Sequence, residues 1–256
     1  MEELFVNWFM IFVRAGAMLS IFPLFSATAI PVRMRIALAG FMSFLILPTL
    51  PVRVDVSDAK LFGFVGVIIS EIFIGLLFGW LVRILMFSVT LAGHFISTQI
   101  GLQLGGMVAP GNEQPTEIPA VMLQMLAISL MVTLDMHYTL LVGFQQSYHL
   151  LPIGGGILSD RLFDDVTMMA GRTFLVGVKI ASPIIAVGIV VNILLCMLAR
   201  AVPQMNVFME SFGIRLLIGI MLMGSVINMA ALEIANYLHQ LPDDFVTVVR
   251  LLSLGG

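Results

Sequence analysis

The chain has 256 residues, 60% of them hydrophobic and only 11% charged, with a formal net charge of −3 and a mean hydropathy of +1.09. Soluble globular domains carry about 25% charged residues, so this composition excludes an ordinary soluble fold and describes one membrane domain over residues 1–256. The small net charge, without any basic cluster interleaved with aromatics, gives no argument for nucleic acid, and no nucleic-acid partner is expected.

Six apolar stretches follow one another at 4–25, 34–50, 61–87, 121–151, 174–199 and 212–238. Most reach or exceed the roughly 20 residues that a spanning helix needs. The first opens acidic and is interrupted by Arg14. A cleaved signal peptide wants a basic start and an unbroken apolar core, so 4–25 is expected to be a retained helix. Pro23 and Pro31 bracket the break before the second stretch, and Pro48 and Pro51 end it. Within the third stretch Gly75 and Gly79 form a GxxxG pair, a spacing that permits close helix–helix approach. Lys and Arg are spread along the chain, so the positive-inside rule sets no orientation.

Residues 93–119 read GHFISTQIGLQLGGMVAPGNEQPTEIP, rich in glycine and proline and lacking Lys and Arg. Glycine admits unusual backbone conformations and proline blocks helix continuation, so a loop of about 15–20 residues is expected here. Irregular backbone at membrane depth is tolerated only when buried in protein or lining a cavity. The segment is therefore either an exposed loop or a constriction inside a conduit. A glycine-rich, then acidic, solvent loop is expected over 151–165, leading into an amphipathic stretch. The polar turn 200–208, with Arg200, Pro203, Gln204 and Asn206, makes the last two stretches a helical hairpin. After it, Pro242, Asp243 and Asp244 precede a short amphipathic tail.

Every apolar stretch carries a charge: Arg14, Arg35, Glu71 with Arg83, Asp135, Lys179, and Arg215 with Glu233. A charge at mid-membrane costs about 3 kcal/mol even on the lenient insertion scale. Helices that all carry such a cost are expected to pack on protein or line a watery path. No catalytic or metal chemistry is legible. His94, His137, His149 and His239 lack metal-ligand spacing, and no phosphate-binding, dinucleotide or nucleophile-elbow motif occurs. No enzyme activity and no cofactor are expected. Cys196, the single cysteine, is expected as a small buried hydrophobe. The 19 methionines either fill an irregular apolar core or form a deformable lining.

Phe12, Arg14, Gly16 and Pro23, then IPVRMRIALA at 30–39, AGHFISTQIGLQLGGMVAPG at 92–111, RAVPQMNVF at 200–208 and FGIRLLIGIMLM at 212–223 together resemble the FliR family. These are membrane export-gate proteins of flagellar type III secretion, with SctT-type counterparts in injectisomes. The resemblance covers nearly the whole chain and implies an all-α membrane protein of long broken helices and helical hairpins, packed in a helical hetero-oligomer. It implies a FliP-like portion over about 1–170, followed by a FliQ-like hairpin and tail over about 171–256. It also implies FliP-like, FliQ-like, FlhB-like and FlhA-like partners in the bacterial inner membrane at the flagellar basal body. Unfolded flagellar subunits would pass through the assembly, with proton-motive force and the export ATPase acting elsewhere.

In this resemblance Gly101, Gly105, Gly106, Met107, Val108, Pro110 and Gly111 form the pore plug. The chain departs from the family at Ala109, where relatives often carry an acidic residue, and at the paired Gly105–Gly106, where bulkier residues occur. Arg14, Arg35, Glu71, Arg83, Lys179, Arg215 and Glu233 become buried inter-helix or inter-subunit charges, with Arg14, Glu71, Lys179 and Glu233 pairing across subunits. Two other readings are a multi-helix secondary transporter, which would show repeated halves, and an assembly scaffold that does not line the path.

Overall fold

The computed structural model describes residues 2–26, 30–50, 61–102, 117–155, 160–202 and 207–253, and every regular element among them is helical. They are α1 (Glu2–Ile21), the short α2 (Pro23–Ser26), α3 (Val32–Ile46) running into a 3-10 turn (Leu47–Thr49), α4 (Leu61–Ile100), α5 (Ile118–Thr133), α6 (Met136–Leu150), α7 (Asp160–Ala201) and α8 (Val207–Ser253). Five helices are long and apolar enough to cross a membrane, and the broken pair α5 and α6 would supply a sixth span. The protein is an all-α membrane protein. At 1.5 Å per residue, the 40 residues of α4 extend about 60 Å, twice the roughly 30 Å hydrocarbon core.

The helix ends differ from expectation in four places, each for a physical reason. α4 continues through 93–100, which was expected as loop, because Phe95, Ile96 and Ile100 extend its apolar pattern and its glycine at 93 is tolerated within a buried helix. The stretch 121–151 is two helices rather than one. Asp135, in the left-handed region at φ +52, ends the first; acidic and amide side chains adopt this conformation more readily than most. Its carbonyl then accepts from the N–H groups of Tyr138 and Thr139, starting α6. α7 begins at Asp160, inside the region expected as a loop.

Finally, Pro242 does not separate a tail, because α8 runs through it to Ser253. A proline inside a helix costs about 3 kcal/mol. Beyond it, Phe245, Val248, Val249 and Leu252 recur at helical spacing and are all buried. Burying a large apolar side chain contributes about 1.5–3 kcal/mol, so four of them outweigh the proline.

Two compact units share these helices. One combines Met1–Leu85, Asp135–Ala170 and His239–Gly256; the other combines Met86–Leu134 and Gly171–Leu238. In the first, Gly40 on α3 lies under Trp8 and Phe12 of α1, whose rings stack at 5.5 Å. On its other side α1 meets α4 at Gly75 and Gly79. A Cβ at Gly75 would fall 2.3 Å from the Arg14 carbonyl oxygen, and one at Gly79 2.7 Å from that of Met18. The GxxxG pair thus serves an intrachain crossing. Phe78 stacks on Phe245 with ring centres 4.1 Å apart and meets Phe144 edge-on at 6.3 Å. That places α4, α6 and the end of α8 around one aromatic core.

In the second unit α5 buries Ala120, Leu123, Ala127 and Met131, one stripe of its surface. The hairpin helices α7 and α8 are tied by a 2.9 Å hydrogen bond between the hydroxyls of Thr173 and Tyr237. α7 approaches α4 where a Cβ on Gly177 would lie 2.8 Å from the Ser88 carbonyl oxygen.

Candidate functional site

Two places gather the residues singled out in the sequence. The first is a closed polar cluster in the first unit. Arg14 Nε donates to Glu71 Oε2 at 2.5 Å and Nη2 to Oε1 at 2.9 Å, with both side chains wholly buried. The third guanidinium nitrogen, Nη1, donates to Ser147 Oγ and the Leu151 carbonyl, each at 3.4 Å. The Gly154 N–H donates to Glu71 Oε1 at 3.0 Å. Tyr148 covers the guanidinium, its ring centre 4.0 Å from Cζ.

The local sequence explains the arrangement. Glu71, Gly75 and Gly79 are four residues apart and share one face of α4. The glycines bring α1 against that face, and the carboxylate is left opposite Arg14. Gly154, at φ +79, turns the chain after α6 so that its N–H meets the same carboxylate. A buried ion pair stays favourable only when its remaining donors and lone pairs find partners, and here Ser147, Leu151 and Gly154 supply three of them.

Arg14 and Glu71 therefore pair with each other inside the chain, between helices. The other charges are placed differently. Arg83 and Lys179 are exposed on the chain, which does not itself provide the burial expected of them. Arg35, Arg215 and Glu233 are half-buried. Arg35 Nη2 donates to the Ile30 carbonyl at 3.2 Å. Arg215, with Gln99, lines a cavity of about 20 Å³ among Ile184, Val187 and Ile218, roughly the space of one water. Arg200 is exposed at the end of α7, as is Cys196, which is not the buried hydrophobe expected. Pro203, Gln204 and Asn206 of the hairpin turn lie outside the described residues.

The second place is the base of the glycine-rich segment. Gly101 ends α4 at φ +83, its N–H donating to the carbonyls of Ser97 at 3.1 Å and Thr98 at 3.2 Å. A left-handed glycine closing a helix occupies its last free carbonyls in this way. Gly105, Gly106, Met107, Val108, Pro110 and Gly111 lie outside the described residues. The stems on either side of them meet. A Cβ on Gly93 would fall 2.2 Å from Ala120 Cα, and His94 Nδ1 contacts the Glu117 carboxylate. About two turns before its end, α4 therefore touches the start of α5 directly.

Sequence reasoning missed Ser147, Tyr148 and Gly154 in the cluster and Gly93, His94, Glu117 and Ala120 at the stems. For Glu71 a signal existed, since it continues the Gly75 and Gly79 spacing by one turn; for Tyr148 and Gly154, far along the chain, none did. Among the described residues no group of three His, Cys, Asp or Glu side chains is arranged to hold a metal ion.

The family model for bacterial export proteins, family 1, matches residues 5–241. The flagellar biosynthetic protein FliR of Escherichia coli K12 is 29% identical over 236 residues, covering 90% of this chain and 89% of that protein. FliR of Pectobacterium carotovorum is 32% identical over 225 residues, covering 86% and 85%. FliR of Caulobacter vibrioides is 27% identical over 236 residues, covering 92% and 94%. With a family match over nearly its whole length and these full-length similarities, the chain belongs to family 1 of the bacterial export proteins, alongside the flagellar biosynthetic proteins FliR.

Proposed function

We propose that this chain forms, with FliP-like and FliQ-like membrane proteins, the conduit through which unfolded flagellar subunits cross the bacterial inner membrane, and that residues 101–111 close that conduit at rest. FlhB-like and FlhA-like proteins complete the export gate at the flagellar basal body. The chain acts as a passage and gate rather than as an enzyme. In this reading about 1–170 is the FliP-like portion and about 171–256 the FliQ-like hairpin and tail.

The observation that carries the proposal is the base of the glycine-rich segment. A 40-residue helix ends at a left-handed glycine, and its stem is pinned to α5 by the Gly93–Ala120 crossing and the His94–Glu117 contact. A segment without Lys or Arg, held at a firm base, suits a closure that moves aside for a chain in transit. The long helices support the assembly. α7 and α8 carry many exposed large apolar side chains, among them Ile193, Leu194, Met197, Leu217, Ile220 and Met221, as expected of helices covered by partners or lipid.

Two measurements test the proposal. Co-expression with the FliP-like and FliQ-like proteins is expected to give one large hetero-oligomer by native mass spectrometry; a monomer or homodimer indifferent to them would overturn it. Deleting residues 105–111 is expected to raise ion leakage through the assembled complex. Unchanged leakage with intact assembly removes the gate role, and a stalled substrate that never crosslinks to Met107 points to a scaffold.

A further inference from the structure

Immediately before Gly101, the last two helical residues of α4 rest in notches cut by glycines of the hairpin. A Cβ on Gly219 of α8 would lie 2.4 Å from Ile100 Cγ1, 2.8 Å from Cδ1 and 2.9 Å from Cγ2. A Cβ on Gly188 of α7 would lie 2.4 Å from Gln99 Oε1, 3.1 Å from Cδ and 3.4 Å from Cβ. Real Cβ atoms essentially never come closer than 3.0 Å to a neighbour, so both contacts require glycine as the side chains stand.

The two notches differ in stiffness. The clash at Gly188 is with the far end of a flexible amide, which can swing away. The clash at Gly219 is with three carbons of a β-branched side chain restricted at χ1 and only 3% exposed, so relief takes a strained rotamer or a shift of the helix. On another side α4 has no room either, because Gly93 already touches the Ala120 backbone. Glycine in a helix is about 1 kcal/mol less favourable than alanine, a cost that needs a reason at each position. Gly213 and Gly224, on the same helix, have nothing within 4 Å of a would-be Cβ; Gly219 does.

We infer that Gly219 is a positioning residue for the export gate: by admitting Ile100, it sets where α4 ends and so where the closing segment begins, with Gly188 as a softer second notch. The inference rests on the gate reading of residues 101–111. It assigns to the hairpin a role beyond filling the membrane, since α8 acts on the gate through a single methyl-sized space.

The test uses the full chain in its co-expressed complex, with Cys196 replaced by serine and spin labels on cysteines at Leu102 and at the exposed Met125 of α5. Gly219→Ala is expected to shift or broaden the label–label distance and to raise resting ion leakage several-fold. Adding Ile100→Ala, which removes the three carbons in conflict, is expected to restore both, and Gly224→Ala is expected to change neither. An unchanged distance in Gly219→Ala overturns the inference whatever the leakage. A shifted distance with unchanged leakage, in a complex that does leak when residues 105–111 are deleted, reduces Gly219 to a packing residue and leaves the gate reading standing. No leakage from that deletion overturns the gate reading, and with it the positioning role. Should Gly219→Ala fail to assemble, recovery of assembly with Ile100→Ala supports the contact, and continued failure overturns it.

Discussion

Glu71→Ala is expected to be among the most damaging single changes to this chain. An exposed ion pair contributes about 0–1 kcal/mol, but this one is wholly excluded from solvent and bidentate, at 2.5 and 2.9 Å. Removing one partner of a buried pair costs about 3–5 kcal/mol, because the other charge stays desolvated and unpaired. At about 1.4 kcal/mol per factor of ten, that is two to nearly four powers of ten in the folded-to-unfolded ratio. Arg14 would keep only the two 3.4 Å contacts of Nη1 and the face of Tyr148, and the Gly154 N–H would lose its acceptor. Arg14→Met is expected to cost a similar amount, leaving Glu71 with the Gly154 N–H alone. The double variant Arg14→Met/Glu71→Leu removes both charges and keeps the volume, so it is expected to recover most of the loss. The readout is the temperature at which the purified complex sheds this chain, scored by size-exclusion chromatography. Single variants that melt with the parent would refute this account of the cluster, as would a double variant that falls by the sum of the singles.

The remaining predictions concern packing and backbone. Gly75→Ala is expected to lower the same melting temperature sharply, since its Cβ would meet backbone at 2.3 Å, while Gly66→Ala, with open space around it, is expected to be neutral. Asp135→Gly or Asp135→Asn should be tolerated at φ +52, whereas Asp135→Val is expected to cost about 1–2 kcal/mol and to show it as a lower melting temperature. Tyr237→Phe removes one side of the Thr173 hydroxyl pair and is expected to cost about 1 kcal/mol; loss of most of that effect in a Thr173→Val background would show that the two hydroxyls act together, and an undiminished effect would refute it.

The helical spans were legible because apolar length is nearly sufficient to define a helix in a membrane. What misled were the punctuation residues. Pro242 and Gly93 mark ends in soluble chains. Here, buried side chains around them, Phe245 and Val248 beyond Pro242 and Ile96 and Ile100 beyond Gly93, carry the helix through. The break at Asp135 is the reverse case: one acidic residue in an apolar run, with neither proline nor glycine at the joint, and only its φ shows it. The pairing of Arg14 with Glu71 spans 57 residues, and its covering ring, Tyr148, comes from a helix further on. No local pattern encodes a contact of that separation, although the glycines one and two turns beyond Glu71 mark the face on which it had to occur.

The charges in the apolar helices divide into two kinds, and the division bears on what surrounds the protein. Arg14 and Glu71 are neutralised within the chain and covered by an aromatic ring, so they make no demand on partners. Arg83 and Lys179 are exposed on helices whose neighbouring positions are apolar. A helix of 40 residues is about twice as long as the hydrocarbon core is thick, so α4 has length to spare beyond a single upright crossing. The same holds for the 42 residues of α7. A cation on such a helix is stable where it reaches headgroups or water, or where a partner brings an acceptor; it is costly only against hydrocarbon. The exposed charges are thus expected away from hydrocarbon, a placement that hydropathy alone does not give.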